Sequence, residues 1–326
     1  MSEFYLNLFS CAGKVDVSKT LSDYFHIPAD KIFEFLGSHY QENSAVREFI
    51  EYFQIDLNCS YYDDIFIACR HATTSFDNLQ YVKKFGMLSL CELLSTKSPL
   101  SEFLRENLIR IDVESKMLYY NDEPHDILGL QEQCIKCEKG RSICRDKYPV
   151  FSCDYRNKLH TLYCKLYDHR GETEVFLNGS IQDIYDYRYV RCSPEILYTL
   201  DTIISFYGAK KLLRHCWQNK DNNKYYILEF DVRIDDLVFI DRNIDHGNCY
   251  DDEFFSAFSC SCNDYKNYHV KKAFQYNLFV VERLIQNFNY GTNEIYAPFK
   301  KDTRIDPWKI RIIREHDVNE RTEYDR

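Results

Sequence analysis

The chain places its apolar residues in short runs broken by polar turns, and the spacing within each run separates strands from helices. Ile65-Phe66-Ile67-Ala68 has the length and composition of a buried strand, which delivers Arg70-His71 at its end. Asp77 then stands before Leu79, Val82 and Phe85, Gln80 follows it by three, and Gly86 closes the run. That is a short helix with a capped start and a glycine stop. Upstream, Ile32, Phe33, Phe35 and Leu36, then Val46, Phe49, Ile50 and Phe53, repeat at helical spacing, so residues 1–60 read as a helical region. Downstream, Leu100, Phe103, Leu104 and Leu108 predict an amphipathic helix, and Ile109 to Val113 with Met117 to Tyr120 a short hairpin.

From Leu159 to Asn178 the pattern reads as period two: Leu162, Cys164 and Leu166, a turn at Asp168 to Gly171, then Val175 and Leu177. This predicts a second hairpin. Ser193-Pro194-Glu195 opens a helix with Ser as cap and Pro first, and Ile196, Leu200, Ile203, Ile204 and Tyr207 form its buried face. Tyr225 to Val232 alternates as a strand, Leu237 to Ile240 is a further apolar run, and Val270 to Phe288 reads as a helix. Strands and helices in this mixture define an α+β chain.

Composition changes that picture little. With 326 residues, 45% hydrophobic and 28% charged, the chain is long enough for a large core and too apolar for extended disorder. A net charge of −10 argues against a generally basic nucleic-acid binder, yet a local basic groove still attracts phosphate. No stretch approaches the length of a membrane span, and the N-terminus lacks the basic start and cleavage site of a signal peptide. A cytoplasmic protein is the expectation, and its 14 cysteines then read as free thiols or metal ligands rather than disulfides.

The cysteines cluster. Cys134-x-x-Cys137, Cys144 and Cys153 fall in one segment, and a tight Cys-x-x-Cys supplies half of a tetrahedral zinc site that two more thiolates complete. A closed four-cysteine site is structural, because it leaves no open coordination position. His125, His160 and Cys164 are substitute ligands, and reduced cysteines in an irregular insertion are the alternative. Lys136, Lys139, Arg141, Arg145 and Lys147 make the same segment a positive patch suited to phosphate, or a solvated charged loop.

His71-x-Thr73 after a strand, then Asn78, Leu79, Val82, Gly86 and Met87, resembles the first motif of the PARP-like and diphtheria-toxin-like ADP-ribosyltransferases. Near the end, Asn293-Glu294-Ile295-Tyr296-Ala297 and then Ile305-Asp306-Pro307-Trp308-Lys309-Ile310 resembles the last motif of the same superfamily, a strand with its catalytic Glu followed by an I-x-P-x-x-I turn. The resemblance implies an ADP-ribosyltransferase fold, a split mixed and antiparallel sheet with flanking helices. Residues 61–124 and 159–326 would be its two halves, with a Cys-rich insertion at 125–158.

It implies a glycosyltransferase that uses NAD as co-substrate. His71 would hold the NAD ribose with Thr73 in support, Glu294 would be the catalytic carboxylate, and Tyr187 or Tyr189, with Tyr185 behind them, would stack on nicotinamide. Arg70 or Arg188 would hold pyrophosphate. Thr292 stands where arginine-directed members carry Glu or Gln, which disfavours arginine as acceptor. The basic insertion is similar to the DarT-like and CmdT-like bacterial toxin and phage-defence branch. That implies RNA or DNA as acceptor ahead of protein, and a neutralising antitoxin partner. A zinc-containing adaptor that keeps the fold without catalysis, binding nucleic acid or protein, is the reading from another class.

Overall fold

The computed structural model describes residues 2–40, 44–130, 132, 154–167, 173–186, 190–237, 272–292, 294–300 and 303–319. It is a mixed α and β structure in two compact units, one of Met1–Cys69, Phe176–Ile181 and Asp231–Ala297, the other of Arg70–Val175, Gln182–Phe230 and Pro298–Arg326. The main sheet has six strands: β1 (Glu3–Leu6), β2 (Asp64–Ser75), β6 (Glu174–Asn178), β7 (Lys224–Arg233), β8 (Ile295–Pro298) and β9 (Arg311–Asp317). Their order is β8-β6-β2-β7-β9, with β1 also paired to β2. β1 runs parallel to β2, with Phe4 opposite Ile65 and Leu6 opposite Ile67, whereas β7 and β9 are antiparallel.

In the first unit, helices α1 (Lys14–Phe25), α2 (Ala29–Ser38) and α3 (Ala45–Tyr52) precede β2. The pattern does not predict β1; four residues of alternating exposed and buried positions give too short a period to distinguish. Leu21, Phe49 and Ile67 are fully buried, as are Leu278, Val281 and Leu284 of a long helix at Lys272–Tyr290. That helix also carries buried asparagines. Asn277 accepts from the Tyr24 hydroxyl at 2.7 Å and donates to the Leu57 and Cys59 carbonyls at 2.8 Å. Asn287 accepts from Asn178 at 2.8 Å. These amides satisfy loop carbonyls that have no ladder partner.

The second unit holds a three-stranded antiparallel meander, β3 (Ile109–Asp112), β4 (Met117–Tyr120) and β5 (Glu123–Asp126), the first two of which are the predicted hairpin. Around it lie α4 (Gln80–Phe85), α5 (Leu90–Ser95), α6 (Pro99–Glu106), α7 (Asp154–Tyr167), α8 (Ile181–Asp186), α9 (Glu195–Phe206) and α10 (Leu213–Gln218). The long helix of the first unit is α11. Leu104, Ile111, Leu118, Leu162, Leu200 and Trp217 belong to one buried cluster of the second unit. α9 buries Ile196, Leu200, Ile203 and Ile204 as their spacing predicts, beginning one residue later than expected with Pro194 in the cap position.

Two expectations are corrected. The segment from Leu159 to Tyr167 is helix, not the first arm of a hairpin. Leu159, Leu162 and Leu166 fall at i, i+3 and i+7 and are buried, while Cys164, which completed the apparent alternation, is half-exposed. Only the returning strand survives, as β6. β2 also runs on to Ser75, so His71 lies within a strand rather than at its end. The β-branched pair Thr73-Thr74 extends the pleated conformation. The turn at Asp168 to Gly171 and the run from Val238 to Ile240 lie outside the described residues. Among the described residues, no helix is long and apolar enough to cross a membrane.

Candidate functional site

The stretch of the second unit that carries the first motif begins at His71. Successive strand residues face opposite sides, so His71, Thr73 and Ser75 share one face of β2 and Arg70, Ala72 and Thr74 the other. On the His71 face, Nδ1 lies 3.0 Å from the Glu174 carbonyl oxygen at the start of β6. A carbonyl only accepts, so Nδ1 carries the proton and Nε2 keeps a lone pair. Burial holds the imidazole below its ordinary pKa, opposed by the Glu174 bond and by the charge of Glu195, so the ring is neutral at neutral pH. Thr73 is half-buried beside it. The pair offers a neutral acceptor and a hydroxyl, a set suited to the hydroxyls of a sugar.

On the opposite face, Arg70 Nε donates to Glu229 at 2.9 Å, and Glu229 also receives Arg311 at 3.2 Å. Arg70 is thus committed to a mostly buried ion pair across β2 and β7, with 16% and 14% of the two side chains exposed. Sequence reasoning misses Glu229, although a carboxylate in the apolar alternation of Tyr225 to Val232, where Asp231 is the other, is a legible sign of a charge seeking a partner. Thr74 accepts from the Trp217 indole at 3.0 Å and anchors that face to the core.

After Ser75 the chain turns through two consecutive left-handed residues, Asn78 at φ 55° and Leu79 at φ 58°. For a buried leucine this conformation is strained, and it persists because neighbours over-determine it. Ser75 Oγ accepts from the Leu79 amide at 3.0 Å and donates to Asp77, whose other oxygen accepts from the Tyr81 amide at 2.9 Å. Asp77 thus accepts from the second amide of α4, but the N-cap position falls on Leu79, which makes no side-chain cap hydrogen bond, and not on Asp77 as its position predicts. Gly86 ends α4 at φ 79°. Its amide is followed by a two-way backbone pairing of Met87 with Ile305, at 3.0 and 3.2 Å. A Cβ on Gly86 would lie 1.9 Å from the Ile305 carbonyl oxygen and 3.3 Å from Pro307 Cδ. Met87 of the first motif and Ile305 of the I-x-P-x-x-I turn thus pair within the second unit.

The remaining predicted residues are more scattered. Glu294 belongs to the first unit, is exposed, and directly precedes β8; it accepts a hydrogen bond from the Tyr296 hydroxyl. Tyr185 is fully buried, its ring near Tyr225 at 5.7 Å and His316 at 5.2 Å with the Arg191 guanidinium 4.3 Å away. That environment is core. Tyr187, Arg188 and Tyr189 lie outside the described residues, as do Cys134, Cys137, Cys144 and Cys153 with the basic residues among them. Of the substitute ligands, His160 and Cys164 are neighbours on α7, Nε2 to Sγ 3.5 Å, whereas His125 stacks on Tyr207 at 4.0 Å. Among the described residues no group of three or more side chains is arranged to hold a metal ion. Comparison with family models, with curated proteins and with solved structures finds no match to this chain.

Proposed function

We propose that the chain is an NAD-dependent ADP-ribosyltransferase with that family's fold, a toxin that modifies nucleic acid in a bacterial toxin-antitoxin or phage-defence setting. The observation that carries this reading is the backbone pairing of Met87 with Ile305 across Gly86, which unites the His-x-Thr motif with the I-x-P-x-x-I motif in one unit. Breaking the bond between ribose and nicotinamide builds positive charge on the ribose ring and releases a neutral base. The catalyst must hold the sugar, stabilise that charge and admit an acceptor from the far side.

Neutral His71 supports the holding of the sugar, because Nε2 accepts from a ribose hydroxyl while the Glu174 carbonyl fixes the ring. Glu294 is the carboxylate that the resemblance assigns to the charge, and its exposure leaves it open to a ligand. Tyr187 or Tyr189 is the ring assigned to nicotinamide, and zinc held by the four clustered cysteines would be structural.

Time-resolved nicotinamide release from NAD by the purified chain tests the proposal, with RNA, single-stranded DNA or protein extract supplied in turn. Release that needs a nucleic acid, and falls by about 100-fold or more in both His71→Ala and Glu294→Ala, is the expected result. Release driven by protein extract alone would move the acceptor to protein. No release in any mixture, with NAD binding undetectable, would leave the non-catalytic adaptor.

A further inference from the structure

We propose that α4 and the 3₁₀ turn Pro307–Lys309 form a docking surface for single-stranded nucleic acid, with Phe85 and Trp308 as its stacking platform. The surface rests on the transferase reading only for its role as the place where the acceptor strand is held; the binding stands on the observations below. Trp308 is 79% exposed and Phe85 47% exposed, high values for rings of this size. They flank one junction, because Phe85 precedes Gly86, Trp308 follows Pro307, Met87 pairs with Ile305, and a Cβ on Gly86 would lie 3.3 Å from Pro307 Cδ. Each ring has an ammonium above it: Lys84 Nζ is 4.9 Å from the Phe85 centroid and Lys309 Nζ 5.2 Å from that of Trp308. Tyr81, one turn back on α4, extends the aromatic run, with its ring 4.7 Å from that of Phe85.

The local charge opposes that of the whole chain. From Thr303 to Arg314 there are four basic residues, Arg304, Lys309, Arg311 and Arg314, against Asp306 alone, and α4 adds Lys83 and Lys84, in a chain of net charge −10. Not all of this charge is available: Lys309 lies 3.8 Å from Asp306, Arg304 pairs with Glu92, and Arg311 with Glu229. Lys83 and Lys84 are exposed in the last turn of α4, Lys83 donating to the Asn78 carbonyl at 3.0 Å. Exposed rings with cations over and beside them match a ligand of alternating flat bases and phosphates, and stacking of that kind is tolerant of sequence. A membrane surface fits less well. The six-residue α4 carries two lysines in its last turn, and both Phe85 and Trp308 have a lysine ammonium over the ring rather than a purely apolar face.

Fluorescence anisotropy of labelled pyrimidine RNA and DNA strands, with the full chain and no NAD, tests the surface. Duplex of the same sequence and phosphatidylserine vesicles serve as comparators. The expected result is binding of single strands in preference to duplex, weakened roughly tenfold in Trp308→Ala and further in the double variant with Phe85→Ala. In Lys84→Glu the slope of log affinity against log salt should shrink by about 0.7 for the lost phosphate contact.

Because both rings are exposed, the variants should keep the parent melting temperature. Strand binding unchanged within about twofold in the double variant, where a stacked base is worth far more, overturns the proposal. Absence of strand binding overturns it too, and vesicle binding in its place would reassign the patch to membrane. NAD turnover is measured separately: strand binding that depends on Trp308 without nicotinamide release would sink the transferase reading and leave this surface standing.

Discussion

A carbonyl oxygen has no proton to give, so the 3.0 Å contact to Glu174 makes His71 a donor through Nδ1 and an acceptor through Nε2 as long as the ring is neutral. Burial lowers its pKa, so acid protonates the unfolded chain first. The neutral ring's contribution to stability is therefore complete above the unfolded value of about 6.5 and is lost as pH falls below it, through the lower folded value. Ligand binding through Nε2 should follow the folded value and hold level until pH drops beneath about 6.5. His71→Asn separates the two roles, because the amide nitrogen can replace Nδ1 toward Glu174 while nothing replaces Nε2. The expected outcome is a melting temperature near the parent's and NAD affinity, by calorimetry, reduced about tenfold or more. Parent-like affinity in that variant would remove Nε2 from the site. The strand pattern presents His71 but ends the strand there, short of Ser75, and it does not give the tautomer. The tautomer depends on a carbonyl 103 residues away, which no local spacing encodes.

At the scale of elements, α4 has only six residues, too few to be stable in water by themselves. It holds because Ser75 and Asp77 accept from the Leu79 and Tyr81 amides at its start and because Gly86 lets the chain reach Ile305. Gly86 lies at φ 79° and ψ −165°, a region open almost only to glycine, and its missing Cβ is where the Ile305 carbonyl sits. Gly86→Ala combines backbone strain with overlap, and should destabilise by about 2–4 kcal/mol in urea titration. Asn, which tolerates positive φ elsewhere, should not rescue it, since any Cβ meets the same oxygen. A loss below about 0.5 kcal/mol would show that the bridge shifts freely. The glycine stop is readable from Gly86, whereas the cap read at Asp77 and Gln80 falls instead on Leu79. What Gly86 approaches is not, because the pairing with Ile305 is long-range. The helix at Asp154–Tyr167 is easily misread for the opposite reason. Leu162, Cys164 and Leu166 satisfy a short period-two window, and only Leu159 and the buried state of three leucines separate it from a helix face.

For the molecule as a whole, the division into two units falls inside four strands, β2, β6, β7 and β8, each of which begins in one unit and ends in the other. Unfolding either unit therefore destroys strands that the other uses, and the chain should melt in one transition. The tryptophans make this testable, since both Trp217 and Trp308 belong to the second unit, and Trp217 is buried and will report its exposure. Asn277 belongs to the first unit. Asn277→Leu preserves bulk but strips the Tyr24 hydroxyl and the Leu57 and Cys59 carbonyls of their partner, at roughly 1–3 kcal/mol for each group left unsatisfied. The tryptophan-detected midpoint should fall by the same interval as the midpoint followed by far-ultraviolet circular dichroism, although the substitution lies in the unit without tryptophan. A dichroism transition that moves alone, with the tryptophan midpoint unchanged, would mean that the strands part at the division and that the units unfold separately.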